Sequence, residues 1–418
     1  MAEVRPLQAL HYNLSAIPSL ADVTAPPYDV VDARLRAQLL ARSPLNVVEI
    51  DLPQAPAGGD PYEHAAETLE AWTLQGVLAA DREPAIWALT QDYRGPDGSP
   101  RTRHGFLARV RVTEYGSGLV RPHERTQPGP KEDRLRLTEA TRHNMSPIFA
   151  LHPGDSWRHI EPRLGANPWG EVTDPDGTVH RIWRLADSSV HDALAAELAD
   201  AELLIADGHH RYETARTYAH QIGGEGAHRY TLVCLVSLQD PGLTVFGTHR
   251  LLRDLDAGAQ ERLAEGIRAH FELEEVDADN LDPAGTDGVG IFGYIDTGMK
   301  RALRLRLGDV AAVDEALAGR SQAYRRLDSV ILEELILKRT LGLSDTDIAA
   351  KRGLGYATDP VEVRRVLDEG TYQAAFLLRP TPVEQVREIA AHGETMPPKS
   401  TYFFPKILTG VVFNPLSS

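Results

Sequence analysis

A chain of 418 residues with a formal net charge of −16 and 25% charged residues is long enough for two or three lobes, each with a core. The acidity argues against a general DNA or RNA binder, which needs a basic face for the phosphate backbone. The single cysteine, Cys234, rules out a disulfide framework or a cysteine-built zinc site within one chain. No stretch approaches about 18 apolar residues and no basic-then-apolar leader is seen, so a cytoplasmic protein without membrane contact is expected.

In chain order, residues 4–10 read as an edge strand. Pro26 and Pro27 stiffen a turn and keep Ala25 out of the helical region; Asp32 then caps a helix over 33–42. Residues 46–52 are strand-like, 54–61 form a Pro/Gly-rich loop, and 62–75 set Ala65, Ala66, Leu69 and Trp72 along one helical side. Strand segments at 85–93 and 102–112 are joined by Arg94-Gly95-Pro96-Asp97-Gly98, a hairpin signal. Residues 131–143 read as a charged helix, polar all round, of the kind that presents a solvated face. Further on, 230–238 and 244–249 are strands, with Cys234 buried in the first, and 255–271 is helical. An antiparallel pair follows at 291–295 and 301–307, then a helix at 328–341, a helix at 361–369, a strand at 374–378 and a helix at 382–391. The expected class is mixed α/β. Residues 1–250 are expected to form the core, and 251–418 a second α/β lobe whose tail, 396–418, folds back toward the site.

The densest chemistry lies in residues 201–220, AELLIADGHHRYETARTYAH. Leu203-Leu204-Ile205-Ala206 is short enough for a buried strand, and a helix runs from about Tyr212 to Gly223. The intervening turn, Asp207-Gly208-His209-His210-Arg211, joins strand to helix. Such a junction points backbone N–H groups and the positive helix end at one spot. Two imidazoles and a guanidinium there make an anion site, with phosphate the natural ligand; the plain alternative is a capped, solvated turn. The strand–helix–strand order over 203–238 is βαβ-like. Two further stretches qualify. His123-Glu124 pairs an imidazole with a carboxylate, which suits proton transfer or Mg²⁺ binding. The loop over 397–406 carries Lys399 and Lys406, point charges suited to phosphate.

DGHHRYETA resembles the DGHHR(Y/F)xxA signature of a bacterial family known as domain of unknown function ten-fifteen. Other blocks of the family stand here in order: VRPLQAL near the start, TAPPYDVV at 24–31, RSPLNVVEIDLP at 42–53, and RPHERTQPGPKEDRLRLTEATRHNMSPIF at 121–149. THRLL at 248–252 and MPPKSTYFFPKILTGVVFNPL at 396–416 complete the set. More distantly, the turn is similar to the nucleotide-binding box of the ParB and sulfiredoxin superfamily: GGCHRY in sulfiredoxins, GERR in ParB proteins, DGHHR in archaeal free-serine kinases. This resemblance implies a ParB/sulfiredoxin-like core whose box holds a nucleotide's phosphates. The turn here has no cysteine, which argues against sulfinic-acid repair.

Together these readings predict a phosphate- or nucleotide-binding enzyme, transferring a phosphoryl group to a small hydroxylated metabolite such as a free amino acid, or hydrolysing a nucleotide. The expected cofactors are ATP, ADP or pyrophosphate, with Mg²⁺; the expected partner is a small molecule, not nucleic acid. Glu124, Asp207 and His210 are the catalytic candidates. Gly208, His209, His210, Arg211, His123, Lys399 and Lys406 are the binding candidates, and Glu124 and Asp207 the metal ligands. A metal-dependent hydrolase using His123, Glu124, Asp207, His209 and His210 is the first alternative. It is disfavoured because adjacent histidines on an extended backbone point apart. A non-enzymatic nucleotide-gated module is the second.

Overall fold

Apolar strands from the first 240 residues pair into one nine-stranded sheet in the computed structural model, which describes residues 2–55, 58–116, 119–124, 126, 128–298 and 301–417. Residues 56–57 of the Pro/Gly loop and Arg125 of the 122–126 stretch lie outside these. The chain divides into two units. The first comprises Met1–Pro122, Thr126–Thr244 and Pro405–Ser418; the second comprises His123–Arg125 and Val245–Phe404. The class is mixed α/β. Among the described residues no helix is long and apolar enough to cross a membrane.

In the first unit the strands are β1 (Val4–Arg5), β2 (Ile86–Arg94), β3 (Pro100–Arg111), β4 (Val120–Arg121), β5 (Ile148–His152), β6 (Gly170–Thr173), β7 (Val179–Leu185), β8 (Leu203–Asp207) and β9 (Tyr230–Ser237). They lie in the order β4-β8-β5-β9-β3-β2-β7-β6, with β1 beside β3. The β2–β3 pair is the expected hairpin. Its long helices are α1 (Ala33–Arg42), α2 (Pro61–Leu74), α3 (Pro128–Thr141), α4 (Ser188–Leu198) and α5 (His209–Ile222). Phe106, Ile148, Leu194, Leu203, Ile205, Tyr212 and Leu235 form its core. Residues 405–418 are threaded through this unit: Leu10 and Phe413 exchange backbone hydrogen bonds of 3.1 and 2.8 Å, and Asn414 pairs with Asn144.

Several expectations are corrected here. Residues 46–52 are not a strand: Asn46 Oδ1 accepts from Val48 N while its Nδ2 donates to Asp22 O and Thr24 O, so the segment turns into a short helix, Val48–Asp51. The edge strand at 4–10 is broken into β1, a bridge at Leu7 and a separate strand Leu10–Tyr12. The run over 203–238 is strand–helix–strand but not a parallel βαβ unit. β5 lies between β8 and β9, antiparallel to the first and parallel to the second. Nor is α3 a solvated face, because Arg134, Leu137, Thr138 and Thr141 are buried.

The second unit holds a six-stranded sheet in which every pairing is antiparallel. Its strands are β10 (His249–Leu252), β11 (Phe271–Glu275), β12 (Ile291–Asp296), β13 (Ala302–Leu307), β14 (Leu354–Ala357) and β15 (Ala374–Leu378), in the order β11-β13-β12-β15-β10-β14. Alternation puts Leu252 and Phe376 in one core with Leu332, Leu335 and Ile336. It puts Leu251, Ala375 and Leu377 in another with Val363 and Val366. The expected strand at 244–249 is interrupted at Gly247, where an added Cβ would lie 2.2 Å from Leu378 O. The helical run at 328–341 is α-helical only at its start and continues as a π-helix over Glu333–Thr340. Side-chain pairs five residues apart suit that spacing: Lys338 with Glu333, Arg339 with Glu334, and Thr340 Oγ1 with Leu335 O.

Candidate functional site

The turn after β8 is built by Gly208. It adopts φ +93°, ψ 30° at the N-cap of α5, a left-handed conformation that glycine reaches without penalty. The helix begins at His209, a turn earlier than its sequence suggests, so His209, His210 and Arg211 occupy its first turn. Helices α1, α2 and α4 start on the aspartate caps Asp32, Asp60 and Asp187. Gly208 has no side chain with which to do the same. The first-turn N–H groups and the positive helix end therefore face the turn without a side-chain cap from the N-cap residue. His209 is buried and His210 half-buried.

Arg211 folds back over this glycine. An added Cβ on Gly208 would meet its Nε at 2.9 Å and its Cζ at 3.0 Å. Its guanidinium donates to Ser146 Oγ at 2.8 Å and to Pro147 O, and lies 3.6 Å from Asp207 Oδ1. Ser146 Oγ in turn accepts from Thr409 Oγ1 at 2.9 Å. In this arrangement Arg211 ties the turn to the entrance of β5.

Lys406 completes the group: its Nζ donates to Asp207 Oδ2 at 3.0 Å. A buried network fixes the backbone that carries it. Gln91 Nε2 donates to Lys406 O at 3.0 Å, and Arg103 Nη2 donates to Pro405 O. Arg103 Nε also donates to Gln91 Oε1 at 3.0 Å, and its guanidinium lies 4.6 Å over the Phe149 ring. Burial pushes the pKa of Arg103 down to about 10. Gln91 Nε2 further meets His180 Nδ1 at 3.1 Å, and His180 Nε2 meets Asp174 Oδ2 at 3.0 Å. Because an amide N–H can only donate, Nδ1 accepts and the imidazole proton sits on Nε2, toward Asp174. Sequence reading missed Gln91 and Arg103. The available signal was parity: Arg103 shares a strand face with Gly105 and Leu107, where a charge is out of place.

Beside the turn a cavity of about 30 Å³ is lined by Tyr28, Asp51, Arg134, Ser146, Arg211 and Thr214 among others, room for little more than a water. Arg134 Nη1 donates to Asp51 Oδ1 at 2.9 Å and its guanidinium stacks 4.5 Å from the Tyr28 ring centre. Burial raises the pKa of both Asp51 and Tyr28. The TAPPYDVV and RSPLNVVEIDLP blocks thus supply Tyr28 and Asp51 to the cavity that Arg211 also lines.

The remaining predicted residues belong to the second unit. His123 is buried, its Nε2 lying 2.9 Å from Thr401 Oγ1 and its carbonyl accepting from Met396 N at 2.7 Å. Glu124 forms a parallel bridge with Met396. Lys399 holds φ 60°, a strained backbone for a non-glycine residue and of a kind concentrated at ligand-holding turns. Arg250 and Tyr356 of this unit feel the charge of Glu124, and Tyr356 that of Lys399 also.

Among the described residues no group of three or more His, Cys, Asp or Glu side chains is placed to hold a metal. Asp207 faces Lys406 and Arg211, two cations that oppose a third. His209 and His210 lie on a helix, not on the extended backbone expected, but about 100° apart they still diverge. The donor set of the turn itself does not fit a protein-held Mg²⁺.

A family model described as "Protein of unknown function (DUF1015)" matches residues 4–330, a span that contains the DGHHR turn, the 121–149 block and THRLL. The chain belongs to the DUF1015 family. No curated protein matches this DUF1015 chain at a significant level. Eight chains of solved structures align with it, three of which follow. One is a conserved hypothetical protein from Pyrococcus furiosus, at 15% identity and a TM-score of 0.36, covering 70% of this chain and 92% of that one. The second is a free serine kinase variant in complex with ADP, at 13% identity and 0.37, covering 70% and 89%. The third is SbnI with a C-terminal truncation from Staphylococcus aureus, at 12% identity and 0.38, covering 72% and 85%. The DUF1015 match stops short of Lys399 and Lys406.

Proposed function

We propose that this DUF1015 protein binds the phosphates of a nucleotide or of pyrophosphate at the Asp207–Arg211 turn and transfers a phosphoryl group to a small hydroxylated acceptor. One observation carries the reading. A strand ends in a left-handed glycine that opens a 14-residue helix, and the carboxylate before that glycine is set between Lys406 and Arg211. The helix start and two imidazoles concentrate positive potential where a phosphate chain can lie. The likeness of DGHHR to the ParB and sulfiredoxin box, including its form in free-serine kinases, supports the same ligand class.

In this reading the backbone of Gly208 and the first turn of α5 cradle the phosphates, and His209 and His210 stabilise charge on the transferred group. The acceptor oxygen attacks the terminal phosphorus, the bond from that phosphorus to its bridging oxygen breaks and releases the donor shortened by one phosphoryl group, and the acceptor's proton passes to the carboxylate of Asp207. Arg211 and Lys406 hold Asp207 in place. Any Mg²⁺ belongs with the nucleotide's phosphates and not with a preformed protein site.

The test is acceptor-dependent turnover. ATP, ADP and pyrophosphate are each offered with a panel of hydroxylated amino acids and hydroxy acids, and phosphorylated product is read by ³¹P NMR. The reading predicts product with one donor–acceptor pair and its loss in His210→Ala. Asp207→Asn should then lower kcat without changing KM. Tight nucleotide binding with no product from any pair would favour the nucleotide-gated module.

A further inference from the structure

The Thr248–His249–Arg250 run takes no part in the proposed reaction, yet it buries polar groups that the protein leaves unsatisfied. Arg250 lies on β10 opposite Tyr356 of β14 and Phe376 of β15, and is 3% exposed. Its Nη1 donates to the carbonyl of Thr248 at 2.6 Å, and its guanidinium lies 4.9 Å over the Tyr356 ring. Among the described residues these are its partners, and no carboxylate reaches it. Two carboxylates act on it from beyond ion-pair distance, Glu333 of the π-helix, which lies 3.0 Å from Lys338, and Glu124. Two of the buried arginines of the first unit have carboxylate partners: Arg134 meets Asp51 and Arg36 meets Glu49. A guanidinium stripped of water without a counter-ion is costly, and burial accordingly pushes the pKa of Arg250 down.

Thr248, two residues before Arg250 and just ahead of β10, has a buried Oγ1 with no hydrogen-bond partner among the described residues. His249 faces the other side of the strand. Its Nδ1 accepts from Leu378 N at 3.1 Å, so it stands apart from this cluster.

We propose that Arg250 and Thr248 Oγ1 form an anion site in the second unit that takes the oxyanion group, phosphate or carboxylate, of a small ligand. The planar fork of the guanidinium fits either group in bidentate fashion. The Thr248 hydroxyl can donate to the same oxygens. This site goes beyond the phosphate site at Gly208 and does not depend on it.

The test uses the full chain carrying His210→Ala, so that the response of the first unit is removed, at fixed ionic strength. Inorganic phosphate and, separately, glycolate are titrated while thermal unfolding is followed. One of the two should raise the unfolding temperature, phosphate identifying a phosphoryl ligand and glycolate a carboxylate. Adding Arg250→Met should leave the anion-free unfolding temperature unchanged or higher, since a buried charge is replaced by apolar volume. It should also weaken the anion response at least tenfold. If neither anion stabilises the His210→Ala chain, or if Arg250→Met lowers the anion-free unfolding temperature while leaving the response intact, Arg250 is structural and the proposal fails. Should Arg250→Met not fold, Thr248→Val decides: a response at least threefold weaker supports the site, and an unchanged one overturns it. An anion response equal in wild type and His210→Ala would count against the Gly208 site alone.

Discussion

Lys406 and Asp207 stand 199 residues apart in sequence, and the ammonium of one donates to the carboxylate of the other at 3.0 Å. The pair joins the C-terminal segment of the first unit to the turn that starts α5. Gln91 and Arg103 hold the lysine's backbone from below. Both side chains keep about one-sixth of their exposure, so the pair is worth less than a fully buried one. Lys406→Met should cost about 1–2 kcal/mol in chemical denaturation and weaken pyrophosphate binding at least tenfold by calorimetry. Lys406→Arg, which keeps the charge, should recover most of the stability.

Gly208 is the residue on which the turn depends for its shape. Gly208→Ala places a side chain at φ +93° and drives its Cβ to 2.9 Å from Arg211 Nε. The backbone term alone is about 1–2 kcal/mol. Arg211 cannot swing aside without losing Ser146 and Pro147. The expected result is a lower melting temperature together with loss of phosphate binding. A variant that melts lower but binds normally would show that the left-handed turn serves the fold alone.

His249 gives the second unit a sensitivity to acid. Burial first, then the charge of Arg250, lowers its pKa from 6.5 to about 4, against a smaller opposing effect of Asp359. The unfolded chain therefore takes up a proton before the folded one does. The stability tied to neutral His249 is complete above about pH 6.5 and is lost as pH falls toward 4, on the order of 3 kcal/mol over that range. His249→Asn keeps an acceptor for Leu378 N and removes the titration. Urea denaturation between pH 4 and 8 should show a flatter profile for the variant over pH 4–6.5.

Local chemistry made much of this fold legible in the sequence. The β2–β3 hairpin, the strand at 203–206, the strand Ala374–Leu378 and its flanking helices follow from periodicity and from Gly and Pro punctuation. What was hidden depends on distant partners. Residues 46–52 alternate like a strand, but Asn46 spends its amide on Asp22 and Thr24 and turns the chain into a helix. Helix α3 looked solvated because the carboxylate that buries Arg134 comes from Asp51, 83 positions away. β8 and β9 looked like a parallel unit because nothing between them in sequence announces that β5 will insert there. The turn itself was visible as a cluster of charge beside glycine. The roles of Gln91 and Arg103 were not, since a buried arginine is recognised only when its partners are.

The most direct test of the central claim is a thermal-shift series of wild type and His210→Ala with ATP, ADP and pyrophosphate, each with and without Mg²⁺. A ligand at a hundred times its Kd adds about 2.7 kcal/mol to the folded state, a shift large enough to see. The account predicts such a shift with at least one of the three in wild type and its loss in His210→Ala, while the two proteins melt alike without ligand. No shift with any of them, or an equal shift in both proteins, would contradict a phosphate site at the Asp207–Arg211 turn.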